Sequence, residues 1–142
     1  MKSLTLFASL LFGATFGFAD PTTLASLKGV YVFTERGDVG NGQAVAGLGI
    51  MTLDGNGNVT CSETIQTEGS NMTTTCRGTY VINIDGSATV KLTHTIAPDP
   101  NAATTDDQTF SASYKILATA NGSQLKGIRT DNGISVIADF TK

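Results

Sequence analysis

A chain of 142 residues with formal net charge −3, 40% hydrophobic residues, 16 Gly, two Cys, one His and no Trp has the size of one small domain. Charged residues make up only 15%, against roughly 25% in ordinary soluble domains, and Thr, Ser, Asn and Gly fill their place, a composition that folds. Nine scattered Lys and Arg build no basic stripe for nucleic acid, and a single His excludes a three-histidine zinc centre.

In chain order, Met1-Lys2-Ser3 supplies a positive start, and Leu4 to Phe12 an apolar stretch too short for a permanent membrane anchor. Gly17-Phe18-Ala19 then puts small residues where a signal peptidase reads. Residues 1–19 are therefore expected to be an export signal cut after Ala19, with residues 20–142 a single domain; a buried N-terminal helix is the competing reading. Losing Lys2 leaves eight Lys and Arg against 12 acids, so the expected product is mildly acidic and exported, periplasmic or secreted.

From residue 28 onward no helical period is sustained. Apolar and small polar residues alternate between Gly and Asn turns, predicting strands near 29–35, 43–53, 57–66, 71–84, 87–97, 108–119, 124–130 and 134–141. The clearest puts Ala88, Val90, Leu92, His94 and Ile96 on one face, with Thr89, Lys91, Thr93 and Thr95 on the other. Tyr80, Ile82 and Ile84 repeat the pattern, as do Phe110, Ala112, Tyr114 and Ile116. Turns such as Asp54-Gly55-Asn56-Gly57, Glu68-Gly69, Asp85-Gly86 and Asp131-Asn132-Gly133 suit antiparallel neighbours. A hairpin centred on Glu68-Gly69 sets Cys61 opposite Cys76, where Cα atoms about 5 Å apart suit a disulfide in an oxidising compartment.

Eight one-sided strands leave two open edges unless the ends meet, so the expected fold is all-β: a single antiparallel up-and-down barrel, with a two-sheet sandwich as the alternative. Outer faces reading Thr-Lys-Thr-Thr, with no aromatic girdles, argue against insertion into a membrane after cleavage of the leader.

Strand parity points His94 into the lumen, where Tyr31, Tyr80 and Tyr114 are candidate companions. Glu63 shares the face of Cys61 and Arg129 that of Leu125, while Phe33, Phe110 and Phe140 also face inward. A His beside a Tyr or Glu moves protons, and an Arg holds a carboxylate; a core histidine and an exposed Arg129 are the plainer readings. The calcium-loop spacing after Asp54 fails at Val59 and Ile65, and no nucleophile elbow or phosphate loop is present, so no metal and no cofactor are expected. Gly47-Leu48-Gly49 reads as a bend in a strand.

Leu27-Lys28-Gly29-Val30-Tyr31-Val32-Phe33 opens the first strand with a Gly-x-aromatic phrase, which returns as Arg77-Gly78-Thr79-Tyr80-Val81-Ile82. It resembles the Gly-x-Trp opening of lipocalin-like, calycin-type barrels, and the punctuation around Asp54-Gly55-Asn56-Gly57 and Asp85-Gly86 is similar to small exported bacterial barrel proteins. The resemblance implies binding of a small hydrophobic molecule in the lumen, with Tyr31, Phe33, Glu63, Tyr80, His94, Phe110, Tyr114 and Arg129 as lining candidates. A barrel enzyme of the cyclase or isomerase type, using His94 with a luminal Tyr or Glu63, is a second expectation. A surface-interaction or structural domain working through the loop from Ala97 to Asp107 is a third.

Overall fold

A computed structural model describes residues 23–40, 42–97, 108–119 and 122–142. Its strands are β1 (Gly29–Asp38), β2 (Ala44–Leu53), β3 (Asn58–Thr67), β4 (Ser70–Ile82), β5 (Ala88–Ile96), β6 (Thr109–Ala118), β7 (Gln124–Arg129) and β8 (Ser135–Thr141). Each pairs antiparallel with its chain neighbour, and β1 also pairs with β8, so the sheet closes and no edge is left to template aggregation. Closure removes the sandwich alternative. The expected export signal, and all of the Ala97–Asp107 loop except Ala97, lie outside the described residues.

The β3–β4 hairpin turns at Glu68-Gly69 with Thr67 opposite Ser70, and this register brings Cys61 directly across from Cys76. Their Cα atoms are 4.8 Å apart and the sulfurs are bonded. Closing a loop of this length contributes about 3 kcal/mol through loss of unfolded-chain entropy.

Several expectations shift. The first strand runs past Gly37 to Asp38, because a residue without a side chain at 37 lets the Ser135 backbone of β8 come close; a Cβ there would overlap the Ser135 carbonyl. The fourth strand stops at Ile82, and Ile84 lies fully exposed in the following turn. Asn83 ends the ladder by bonding Ser87 through both backbone and side chain, its N–H to the Ser87 carbonyl at 2.8 Å and its amide nitrogen to Ser87 Oγ at 2.9 Å. At Gly47 and Gly49, where a bend was expected, β1 and β2 pair continuously. These glycines instead leave room inside the barrel. A Cβ at 47 would sit 2.7 Å from Glu35 Cγ, and one at 49 would sit 2.6 Å from Glu63 Cβ and 2.7 Å from Phe33 Cε1.

Outer faces are also less uniform than the alternation suggested. β3 to β5 present mostly Thr, Ser, Lys and Arg to solvent, with Val81 of β4 the exception, whereas Val30, Val32, Leu48, Ile50, Leu117, Ile128 and Ile137 are exposed on β1, β2, β6, β7 and β8.

Inside, apolar side chains fill the end from which β1 starts. Tyr31, Met51, Leu53, Val59, Tyr80, Val90, Ile116, Leu125 and Phe140 are all at most 2% exposed. The turn preceding β1 stoppers this end. Leu27 is buried, Tyr31 Oη lies 2.9 Å from the Leu27 carbonyl and 3.0 Å from that of Gly122, and Tyr80 donates to the Leu24 carbonyl at 3.2 Å while accepting the Gly55 N–H at 2.9 Å. The repeated Gly-x-Tyr phrase thus delivers two tyrosines to one end, where both clip the stopper in place.

Candidate functional site

The opposite end, reached by the ends of β1, β3, β5 and β7, is built differently. A second, smaller apolar cluster of Val45, Ile65 and Val136, with Val39, Met72, Phe110 and Ile134 against it, surrounds a hollow of about 310 Å³. Glu35 and Arg129 are the charged residues lining it.

Between the two apolar clusters lies a polar layer set by strand alternation. Along β3 the inward residues run Cys61, Glu63, Ile65, and along β4 they run Cys76, Thr74, Met72, so Glu63 faces Thr74 one step above the disulfide. β5 adds His94, paired in register with Cys76. Glu63 Oε1 and His94 Nδ1 are 2.9 Å apart with both side chains at most 2% exposed, and Thr74 Oγ1 stands 3.3 Å from each. That geometry puts the imidazole proton on Nδ1, donating to the carboxylate. Glu63 Oε2 and His94 Nε2 are buried with no hydrogen-bond partner.

Phe110 lies flat on His94, with ring centroids 4.5 Å apart and planes 7° from parallel, so this ring separates the imidazole from the hollow. The Arg129 guanidinium sits 5.9 Å over the same ring. Its Nε donates to Asp131 Oδ2 at 2.6 Å and its Nη2 to the Ser111 carbonyl at 3.2 Å, which ties the cation at the rim.

Glu35 is the acid that reaches the hollow. It is buried, its Oε2 accepts the Tyr114 hydroxyl at 2.7 Å, and Gly47 gives it space. Burial, reinforced by the nearby charge of Glu63, holds the Glu35 carboxyl above the usual carboxylate range. Burial and the adjacent Glu35 push the Tyr114 hydroxyl well up. Because burial disfavours its charged form, this carboxyl holds a proton more tightly than a solvent-exposed one, in a place that a guest of the hollow would reach.

Of the lining candidates, the fold brings Glu63, His94, Phe110, Tyr114 and Arg129 together at the open end. Tyr31 and Tyr80 stand at the stoppered end, and Phe33 packs on Phe140 in the lower core with centroids 5.4 Å apart. Glu35 and Thr74 were not among the candidates. Glu35 continues the inward parity of Tyr31 and Phe33, and the register that pairs the cysteines also sets Thr74 opposite Glu63, so both were within reach of the pattern. Among the described residues, the grouped metal-type donors are Cys61, Cys76 and His94, and the two sulfurs are consumed by their mutual bond.

Compared with protein families, with characterised proteins and with solved structures, the chain matches none.

Proposed function

We propose that the protein binds a small, mainly apolar molecule in the hollow at the open end of its barrel. The observation that carries this reading is the hollow itself: about 310 Å³, walled mainly by Val, Ile, Met and Phe side chains, with Glu35, Gln43, Thr67 and Arg129 as its polar residues. Such proportions, apolar walls with few polar groups, are those of small-molecule sites. Binding at the mouth also agrees with the packed lower lumen, which leaves the stoppered end to stability. Kinship with lipocalin-like barrels is part of the proposal, supported by the closed eight-strand meander. So is export with cleavage after Ala19, supported by the Cys61–Cys76 disulfide; the N-terminal sequence of protein recovered outside the cytoplasm tests it.

The test of binding uses the neutral fluorophore N-phenyl-1-naphthylamine. Saturable one-site enhancement is expected, lost when Ile65→Trp fills the hollow. An unchanged titration in the Trp variant would place the fluorophore elsewhere and overturn the reading.

A second reading, acid–base chemistry of the cyclase or isomerase type, is favoured by one observation: Glu35 lines the hollow with its carboxyl held above the usual range and its Oε2 bonded to Tyr114. The proton-moving group is then Glu35, with His94 screened behind Phe110. Turnover of any guest found by native mass spectrometry, lost in Glu35→Gln with binding retained, would establish this; unaltered guest in both proteins would dismiss it.

A further inference from the structure

We infer that the chain carries a redox-gated metal site: once the Cys61–Cys76 bond is reduced, Cys61, Cys76 and His94 hold a thiophilic divalent cation of the zinc type. This site lies in the polar layer behind Phe110 and is independent of what the hollow binds.

The donor set comes from the register of the barrel. Cys61 faces Cys76 across β3 and β4, and β5 sets His94 beside Cys76. One ligand atom from each of these residues lies within 4.8 Å of the others, and all three side chains are buried. Tetrahedral zinc spaces thiolate and imidazole donors about 3.5–4 Å apart, through bonds of about 2.3 and 2.0 Å. Small side-chain rotations on neighbouring strands therefore reach that spacing once the sulfurs are no longer bonded to each other. Sulfur with imidazole selects ions of the zinc type over magnesium or calcium, which take oxygen.

Glu63 supplies what a ligating imidazole needs. Its Oε1 stands 2.9 Å from His94 Nδ1, so Nε2 is the nitrogen left for a metal, and Nε2 is buried with no hydrogen-bond partner. A carboxylate on one ring nitrogen and a metal on the other is the usual outer-shell arrangement of metal-bound histidine. Charge agrees as well, because two thiolates cancel a divalent cation and the buried complex adds no net charge to the layer. Phe110 stacks on the imidazole between it and the hollow, so rotation of this ring opens a way in.

Opening the site takes a dithiol. Its two thiols give two electrons and two protons to the Cys61–Cys76 bond and become a disulfide themselves, while that bond breaks to leave two cysteine thiols. The cation then displaces both thiol protons to solvent and takes the thiolates. Bridge and metal exclude each other, so the chain offers this site before the bridge forms or after a dithiol opens it.

The experiment reduces the protein with dithiothreitol, removes the reagent under nitrogen and titrates cobalt(II), whose spectrum reports its ligands. The reduced protein is expected to take one equivalent, with a thiolate-to-cobalt charge-transfer band and the intense visible bands of tetrahedral coordination, both erased by zinc. The disulfide form is expected to show neither. His94→Ala is expected to weaken cobalt binding by about tenfold or more, and Glu63→Gln, at a positioning residue, to weaken it about ten- to hundredfold with the spectrum unchanged. Zinc is expected to raise the melting temperature of the reduced protein by roughly 5–10 °C, a reading that a marginally folded reduced chain still gives. Absence of the charge-transfer band from the reduced protein, the same bands in the disulfide form, equal cobalt affinity in His94→Ala, or equal affinity in urea, where the strands are apart, overturns the site.

Discussion

The two ends of the barrel are made from the same alternating strands, yet they solve opposite problems. At the stoppered end, the buried hydroxyls of Tyr31 and Tyr80 reach carbonyls of the turn before β1 or of Gly122, and the apolar cluster around them is closed. At the open end a carboxylate oxygen and an imidazole nitrogen are buried without partners, beneath a hollow and one aromatic ring. Satisfied polar groups and close packing characterise regions whose role is stability; uncompensated ones persist where something else completes them. The contrast is the reason for proposing the mouth, and not the stoppered end, as the binding site.

This contrast can be broken by substitution. The largest effect is expected for Tyr31→Ala in the stopper, which leaves a cavity and two unpaired carbonyls; chemical denaturation should show a loss of about 3–5 kcal/mol, as for other large buried aromatics. A loss under about 1 kcal/mol would show that the stopper is ornamental and that the ends are alike. Next comes removal of the cross-strand bond by Cys61→Ser with Cys76→Ser, expected to cost about 3 kcal/mol, the entropy of a loop of roughly fifteen residues. Because the disulfide lies directly below the Glu63–Thr74 step, this variant should also lower fluorophore binding, whereas Tyr31→Phe at the far end should leave binding intact.

Glu35→Gln sharpens the comparison from the other side. The folded carboxyl binds its proton more tightly than the unfolded chain does, so its contribution is intact below the unfolded value and is lost as the pH rises through the raised folded value. Wild-type melting temperature should therefore fall, on this account, as the pH rises above the ordinary carboxylate range. The Gln variant should fall less over the same rise. A wild type and variant with parallel pH profiles would mean that Glu35 is solvated and that the mouth is no more strained than the stopper. The smallest effect belongs to neither end: Lys126→Ala removes an exposed outer-face pair with Asp139, 2.8 Å apart, and should leave the denaturation midpoint where it is.

Strand number, chain order and the cysteine pairing were legible without coordinates because each depends on local rules. Alternation has a period of two, and a tight turn dictates which residues of a hairpin face each other, so Cys61 and Cys76 follow from Glu68-Gly69 alone. The same reasoning held only partly for the surface, where the Thr-rich backs of β3 to β5 do not extend to β1 and β2. What lies beyond it is which inward side chains meet. Tyr114 and Glu35 are 79 residues apart, and their bond depends on the closure of β1 against β8, the reach of a phenol across the lumen and the absence of a side chain at Gly47. Sequence parity likewise placed Tyr31 and His94 in one lumen without saying that they stand at opposite ends, one bonded to a stopper and the other under Phe110. Local chemistry determines which face each residue takes, but only the closed barrel, with its stagger and its packing, decides which residues share a depth.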